Sequence, residues 1–128
     1  MRADVVDLLR CPVCGQPLSL DAGVARCNEG HSFDVARQGY LNLLVDGGGR
    51  KHSAKTADTA AMVEARSAFL AAGHFDPLAE AVSDAVGAGE GPVVEIGAGT
   101  AFYLAKVLTG RPASIGVAVD LSVPASRR

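Results

Sequence analysis

Four side chains constrain this chain more than any others. Cys11, Cys14, Cys27 and His31 have the spacing C-x2-C-x12-C-x3-H. A structural zinc ion takes four such donors at the corners of a tetrahedron. Two short knuckles joined by a hairpin supply that geometry, with Pro12 and Gly15 suiting the first and Gly30 the second. Residues 1–45 contain few aromatics. So small a module rarely closes on its own core, so a metal staple is expected. The competing reading is a redox pair, Cys11 and Cys14, with Cys27 buried and His31 on the surface. Redox C-x-x-C motifs sit near a βαβ pattern, and none surrounds this one. His52 and His74 have no ligand-like neighbours, and His52 reads as a solvated linker residue.

Composition narrows the class. With 48% hydrophobic and 20% charged residues, the 128-residue chain is globular in character, not disordered. Residues 1–56 carry seven Lys or Arg against six Asp or Glu, and the remainder five against eight. Neither half is a basic block, so charge alone does not argue for nucleic acid. No run approaches the ~18 apolar residues of a membrane span, and no signal peptide opens the chain. A cytoplasmic, reducing setting is expected, in which three Cys do not form a disulfide framework.

Three segments follow: a ribbon over 1–45, a Gly-rich polar linker over 46–56, and an α/β segment over 57–128. Asp21-Ala22-Gly23 reads as a hairpin turn between Pro17–Leu20 and Val24–Cys27. Ser32–Val35 and Tyr40–Leu44 read as extended. Met62, Ala65, Phe69 and Ala72 recur at helical spacing within 57–72. A second helix is expected with Asp76 as N-cap, Pro77 first, and an apolar face of Leu78, Val82, Ala85 and Val86. Val93–Ile96, Gly97–Thr100, Ala101–Thr109 and Ile115–Asp120 then read as strand, loop, helix and strand, the opening βαβ unit of a doubly wound sheet.

The loop Glu95-Ile96-Gly97-Ala98-Gly99-Thr100-Ala101 lets a ligand approach a helix N-terminus. A dinucleotide fingerprint would need Gly at 102, where Phe102 stands. The acidic-x-G-x-G loop of S-adenosylmethionine-dependent methyltransferases fits better, with Glu95 as its acid and Ala101 at its usual third small position. Asp120 ends the next strand, where an acid accepts hydrogen bonds from ribose hydroxyls in either class. The plain alternative is an ordinary strand-to-helix turn beside a surface Asp.

Taken together, these segments resemble one family, the large-subunit (23S) ribosomal RNA guanine-N1 methyltransferases, including the tylosin/mycinamicin-resistance type. The resemblance rests on Arg10–Cys14, the run Cys27–Leu44, Ala57-Asp58-Thr59, Met62–Arg66, Phe69-Leu70, Gly73-His74-Phe75, Pro77-Leu78 and Val94–Thr100. It covers the chain up to about Leu121-Ser122. It implies a small zinc-ribbon β domain followed by the first half of a Rossmann-like α/β methyltransferase domain. It implies zinc held by Cys11, Cys14, Cys27 and His31 in an RNA-recognition module. It further implies S-adenosylmethionine bound by Gly97, Gly99 and Thr100, with Phe75 packed against it and Glu95 and Asp120 supporting its two ends. Phe75 alternatively staples the second helix as a core aromatic.

Ser122-Val123-Pro124-Ala125 departs from the family's Ser-Lys-x-Ala helix start, and the rest of the family's sheet and its guanine pocket would lie beyond Arg128. The expectation is a truncated chain, inactive or self-associating on its own, with Val94, Ile115 and Val119 short of neighbours. The expected reaction is methylation of a guanine ring nitrogen in 23S rRNA, with macrolide resistance a further expectation; no catalytic residue is assigned. The expected partners are ribosomal RNA and a second copy of the chain, and no membrane. A zinc-ribbon module that binds RNA or protein, with a vestigial methyltransferase tail, is the alternative. A nucleotide-binding oligomer that completes its sheet between copies is a third. Arg10, Arg26, Arg37, Arg50, Lys51 and Lys55 are the candidates for a phosphate-facing patch.

Overall fold

The computed structural model describes residues 1–45 and 57–127. The expected linker, 46–56, lies outside the described residues, as do Arg50, Lys51 and Lys55 of the candidate patch. The chain divides between Thr56 and Ala57 into two compact units, each taken here by itself.

The first unit opens with a short helix, α1 (Ala3–Val6), which the sequence reading did not anticipate. Strands β1 (Ser19–Asp21), β2 (Val24–Arg26) and β3 (Ser32–Asp34) form an antiparallel sheet in that order. β1 and β2 pair as Ser19↔Arg26, Leu20↔Ala25 and Asp21↔Val24. That register leaves Ala22 and Gly23 as a two-residue turn, with φ of 46° and 81°. Two left-handed residues match the twist of a tight hairpin, as expected of this turn. Tyr40–Leu44 does not form a strand: Leu41 makes a single bridge to Val35. The core consists of Val6, Cys11, Leu18, Ala25 and Cys27, bordered by Leu9, Cys14, Leu20, Phe33, Leu41 and Leu43. Two of its five buried residues are cysteines, so apolar burial alone supplies little cohesion.

The second unit runs α2 (Ala60–Ala71), α3 (Asp76–Val86), β4 (Val93–Ile96), α4 (Phe102–Thr109), β5 (Gly116–Val119) and α5 (Val123–Ser126). Thr59 caps α2, its hydroxyl accepting from the Met62 N–H at 3.3 Å. The buried residue of α2 is Val63; Met62 and Phe69, on the stripe read from the sequence, are each about half exposed. The helix is apolar nearly all round, so periodicity could not choose its inward face. In α3, Asp76 is the first helical residue, not the cap, and Phe75 precedes it. Ala79 is buried there, whereas Leu78 and Val86 of the expected apolar face are exposed.

β4 and β5 pair in parallel, Val93↔Gly116 through Ile96↔Val119, with α4 as the crossover. Leu104 and Val107 are the buried residues of α4. A Cβ on Gly116 would collide with Leu108 and Leu104, so glycine there lets helix and strand meet closely. Val94, Ile96 and Val119 are exposed, Ile96 at 85%, as expected of a parallel pair lacking further strands. Ile115 is half-buried. Ser122 opens α5: its hydroxyl accepts from the Ala125 N–H at 3.2 Å. Pro124 therefore falls in the first turn, where its missing N–H costs nothing.

The turn from β4 into α4 needs left-handed backbone at Gly97 (φ 72°), Gly99 (φ 56°) and Ala101 (φ 58°). Only Ala101 has a Cβ to crowd the following carbonyl. Ala101→Gly is expected to raise the stability of the second unit by about 1 kcal/mol. The check is a shift of its urea midpoint at unchanged slope.

Candidate functional site

The first site lies where two matching turns meet. In one, the Gly15 N–H donates to the Cys11 carbonyl at 2.8 Å and the Cys11 N–H to the Gln16 carbonyl at 2.8 Å. In the other, the Gly30 N–H donates to the Cys27 carbonyl and the Cys27 N–H to the His31 carbonyl, both at 3.1 Å. Gly15 (φ 72°) and Gly30 (φ 84°) take the left-handed backbone that closes each turn. One donor atom from each of Cys11, Cys14, Cys27 and His31 then falls within 4.8 Å of every other. Cys14 Sγ and Cys27 Sγ are 3.6 Å apart, and Cys27 Sγ and His31 Nδ1 are 3.3 Å apart. A tetrahedral zinc with sulfur at about 2.3 Å sets its sulfurs about 3.8 Å apart. The cysteines are free thiols, and 3.6 Å is far beyond a disulfide bond.

The electrostatics point the same way. Burial raises the Cys11 pKa, but the Cys14 and Val13 N–H groups and the neighbouring thiols outweigh it, so the net shift is downward. At Cys14 the Gln16 N–H lowers the pKa, yet burial and the crowding by Cys11 and Cys27 push it up to about 11. Ionising one thiol thus impedes the next. A divalent cation at their centre removes that conflict, and the donor set fits zinc.

The second site is the glycine loop. Four of its N–H groups are turned inward. Gly97 and Ala98 both donate to the Val119 carbonyl, at 2.8 and 3.1 Å, and Ala101 donates to the Ala98 carbonyl at 2.7 Å. Gly99 donates to Asp120 Oδ2 at 2.8 Å, while Asp120 Oδ1 accepts from the Ser122 N–H at 2.6 Å. Glu95 Oε2 accepts from the Leu104 N–H at 3.1 Å, so Glu95 supplies the cap that Ala101 cannot. A Cβ on Gly97 would meet nothing within 4 Å, so the loop presents open space there. Each Asp120 oxygen has a second lone pair for a ligand hydroxyl. The loop and Asp120 can therefore receive a ligand that brings hydroxyls.

Phe75, half-buried, packs edge-on against Phe69 with ring centroids 5.6 Å apart. Phe69 also meets His74 at 5.7 Å. Thr100 lies in the loop between Gly99 and Ala101, half-buried. Arg10, Arg26 and Arg37 are exposed. Sequence reading did not single out the residues that brace the loop. Buried Ser122 donates its hydroxyl to the Asp58 carbonyl at 2.8 Å, and the Asp58 carboxylate pairs with Arg66 at 3.2 Å. Asp58 and Ser122 are 64 positions apart, and no spacing rule links them.

These two sites define a zinc-ribbon unit followed by a mixed α/β unit. Residues 9–53 match the family model described as "RlmA, N-terminal", a zinc ribbon. Over its whole length the chain is 46% identical to a 23S rRNA (guanine-N(1)-)-methyltransferase of Micromonospora griseorubida, covering 49% of that relative. It is 47% identical to the 23S rRNA (guanine(748)-N(1))-methyltransferase of Streptomyces fradiae, covering 46% of it. A Bacillus subtilis relative, also named as a 23S rRNA (guanine-N(1)-)-methyltransferase, is 32% identical over 90% of the chain. The chain is thus similar throughout to the 23S rRNA guanine-N1 methyltransferases, and spans about half the length of these curated relatives.

Asp120→Asn would turn an amide NH2 toward one of the two N–H donors that the carboxylate now accepts from. The expected cost is about 1–3 kcal/mol. Thermal unfolding of the second unit checks it. Glu95→Ala, which removes the α4 cap, should cost about 1 kcal/mol of stability.

Proposed function

We propose that the chain is part of an S-adenosylmethionine-dependent methyltransferase acting on a guanine ring nitrogen of 23S rRNA. In this reading the first unit, 1–45, recognises RNA on a zinc-held frame, and 57–128 forms the first half of a Rossmann-like domain. The observation that carries the cofactor reading is the inward-turned loop. A dinucleotide needs free N–H groups for its pyrophosphate. Four N–H groups of this loop donate within the protein. S-adenosylmethionine has no phosphate; its hydroxyls and ammonium ask for acceptors, and its carboxylate for a donor.

Cys11, Cys14, Cys27 and His31 would hold zinc. Gly97, Gly99 and Thr100 would line the cofactor, Asp120 accept from its ribose and Phe75 pack beside it. Glu95 would support the methionine end through the oxygen not used on α4. When bound, S-adenosylmethionine supplies the transferable methyl group, and the chain's own residues bind and align it. The target nitrogen of guanine lies on the pairing edge, so the base must be unpaired to reach it. Similarity to the named relatives across both units supports rRNA as the substrate.

The test is calorimetric titration of S-adenosylhomocysteine into zinc-loaded protein, with metal content measured on the same sample. One zinc per chain and micromolar binding are expected. One zinc without binding by a folded second unit overturns the cofactor reading and leaves a zinc-ribbon binding module. Cys14→Ser and His31→Ala are each expected to lose the stoichiometric zinc and the ribbon's dispersed amide spectrum. Acidification should release zinc from the unaltered chain, because protons compete for the thiolates. The exposed Val94, Ile96 and Val119 support self-association of the 128-residue chain. Ile96→Lys is then expected to shift its sedimentation toward monomer.

A further inference from the structure

A chain of polar contacts runs from the glycine loop to Arg66. The Gly99 N–H donates to Asp120, and Asp120 accepts in turn from the Ser122 N–H. The Ser122 hydroxyl donates to the Asp58 carbonyl, and the Asp58 carboxylate grips the Arg66 guanidinium. Arg66 leads back to the start: a Cβ on Gly99 would meet Arg66 Cδ at 3.9 Å. The Arg66 side chain thus passes beside the loop, with its guanidinium held by Asp58. One guanidinium nitrogen, Nη2, is engaged with Asp58, and the Arg66 side chain remains 56% exposed. A guanidinium has five N–H donors, so donors remain for a second acceptor.

The surroundings make the cation significant. Two carboxylates, Glu95 and Asp120, face the same loop and would repel an anionic ligand group. Elsewhere in the unit Lys106 pairs with Glu80 at 3.3 Å, and Arg111 donates to the Gly87 carbonyl at 3.1 Å. Neither contact lies at the loop, whereas the Arg66 side chain passes beside Gly99.

We propose that Arg66, oriented by Asp58, binds the carboxylate at the amino-acid end of the cofactor. This rests on the cofactor reading given above and adds a residue and a ligand group to it. Arg66 is a binding residue here, not a proton carrier, and Asp58 is a positioning residue that acts through it.

The test compares two ligands that share the adenosine end. S-adenosylhomocysteine carries the amino-acid carboxylate, and 5′-methylthioadenosine lacks it. Both are titrated into the zinc-loaded chain and its Arg66→Met variant. The variant is expected to bind S-adenosylhomocysteine about tenfold or more weakly, the loss of one charge-assisted contact, with its 5′-methylthioadenosine affinity nearly unchanged. Arg66→Lys keeps the charge but not the fork; its expected loss is smaller, again confined to the carboxylate ligand. It supplies the same comparison if the Met variant does not fold. Equal weakening toward both ligands would overturn the proposal and make Arg66 a brace for the loop alone. Failure of the unaltered, folded chain to bind either ligand would overturn the cofactor reading itself. The two failures are therefore distinguishable.

Discussion

Three thiols and an imidazole crowded within 4.8 Å of one another form the constraint on which the first unit depends. Without a cation, each ionised sulfur opposes the next, as the elevated Cys14 thiol shows. With one, the same crowding becomes coordination. Cys11 and Cys27 are also two of the five buried core residues. A metal bound there would make ligation and core formation one event, since the buried cysteines serve both.

The second unit depends on a different economy of hydrogen bonds. A loop with left-handed backbone at Gly97, Gly99 and Ala101 leaves its N–H groups in need of acceptors. The Val119 carbonyl accepts two of them and Asp120 a third. Asp120 is then fixed on its other oxygen by the first residue of the next turn, Ser122. The acid at the end of β5 is thus a structural acceptor first. Any ligand hydroxyl it receives meets a carboxylate whose orientation is already set, which reduces the ordering cost of binding.

Local chemistry was legible in the sequence wherever neighbours along the chain decide it. The metal cluster follows from two glycine-closed knuckles at short spacing. The β1–β2 turn follows from Gly23, and the strand–loop–helix–strand order follows from Gly97, Gly99 and the apolar runs beside them. Burial was less legible. In α2 most residues are apolar, so the helical spacing of Met62 and Phe69 does not reveal that Val63 is the buried residue. Tyr40–Leu44 has alternating character but no strand to pair with beyond one bridge. Pro124 looked like a departure from a helix start, yet a first-turn proline needs no N–H partner.

The bracing contacts show why part of the site was not legible in the sequence. Asp58, Arg66 and Ser122, which join Asp120 at the loop, come from the approach to α2, α2 itself and the β5–α5 turn. Each alone is an ordinary polar residue. Only the packing of α2 on α5 brings Asp58 to Ser122. The Asp58 carboxylate pairs with Arg66, whose side chain passes beside Gly99. α2 therefore does more than cover the βαβ unit: it carries a positive charge to a loop whose own side chains are acidic. A ligand with hydroxyls at one end and a carboxylate at the other meets both requirements of that arrangement.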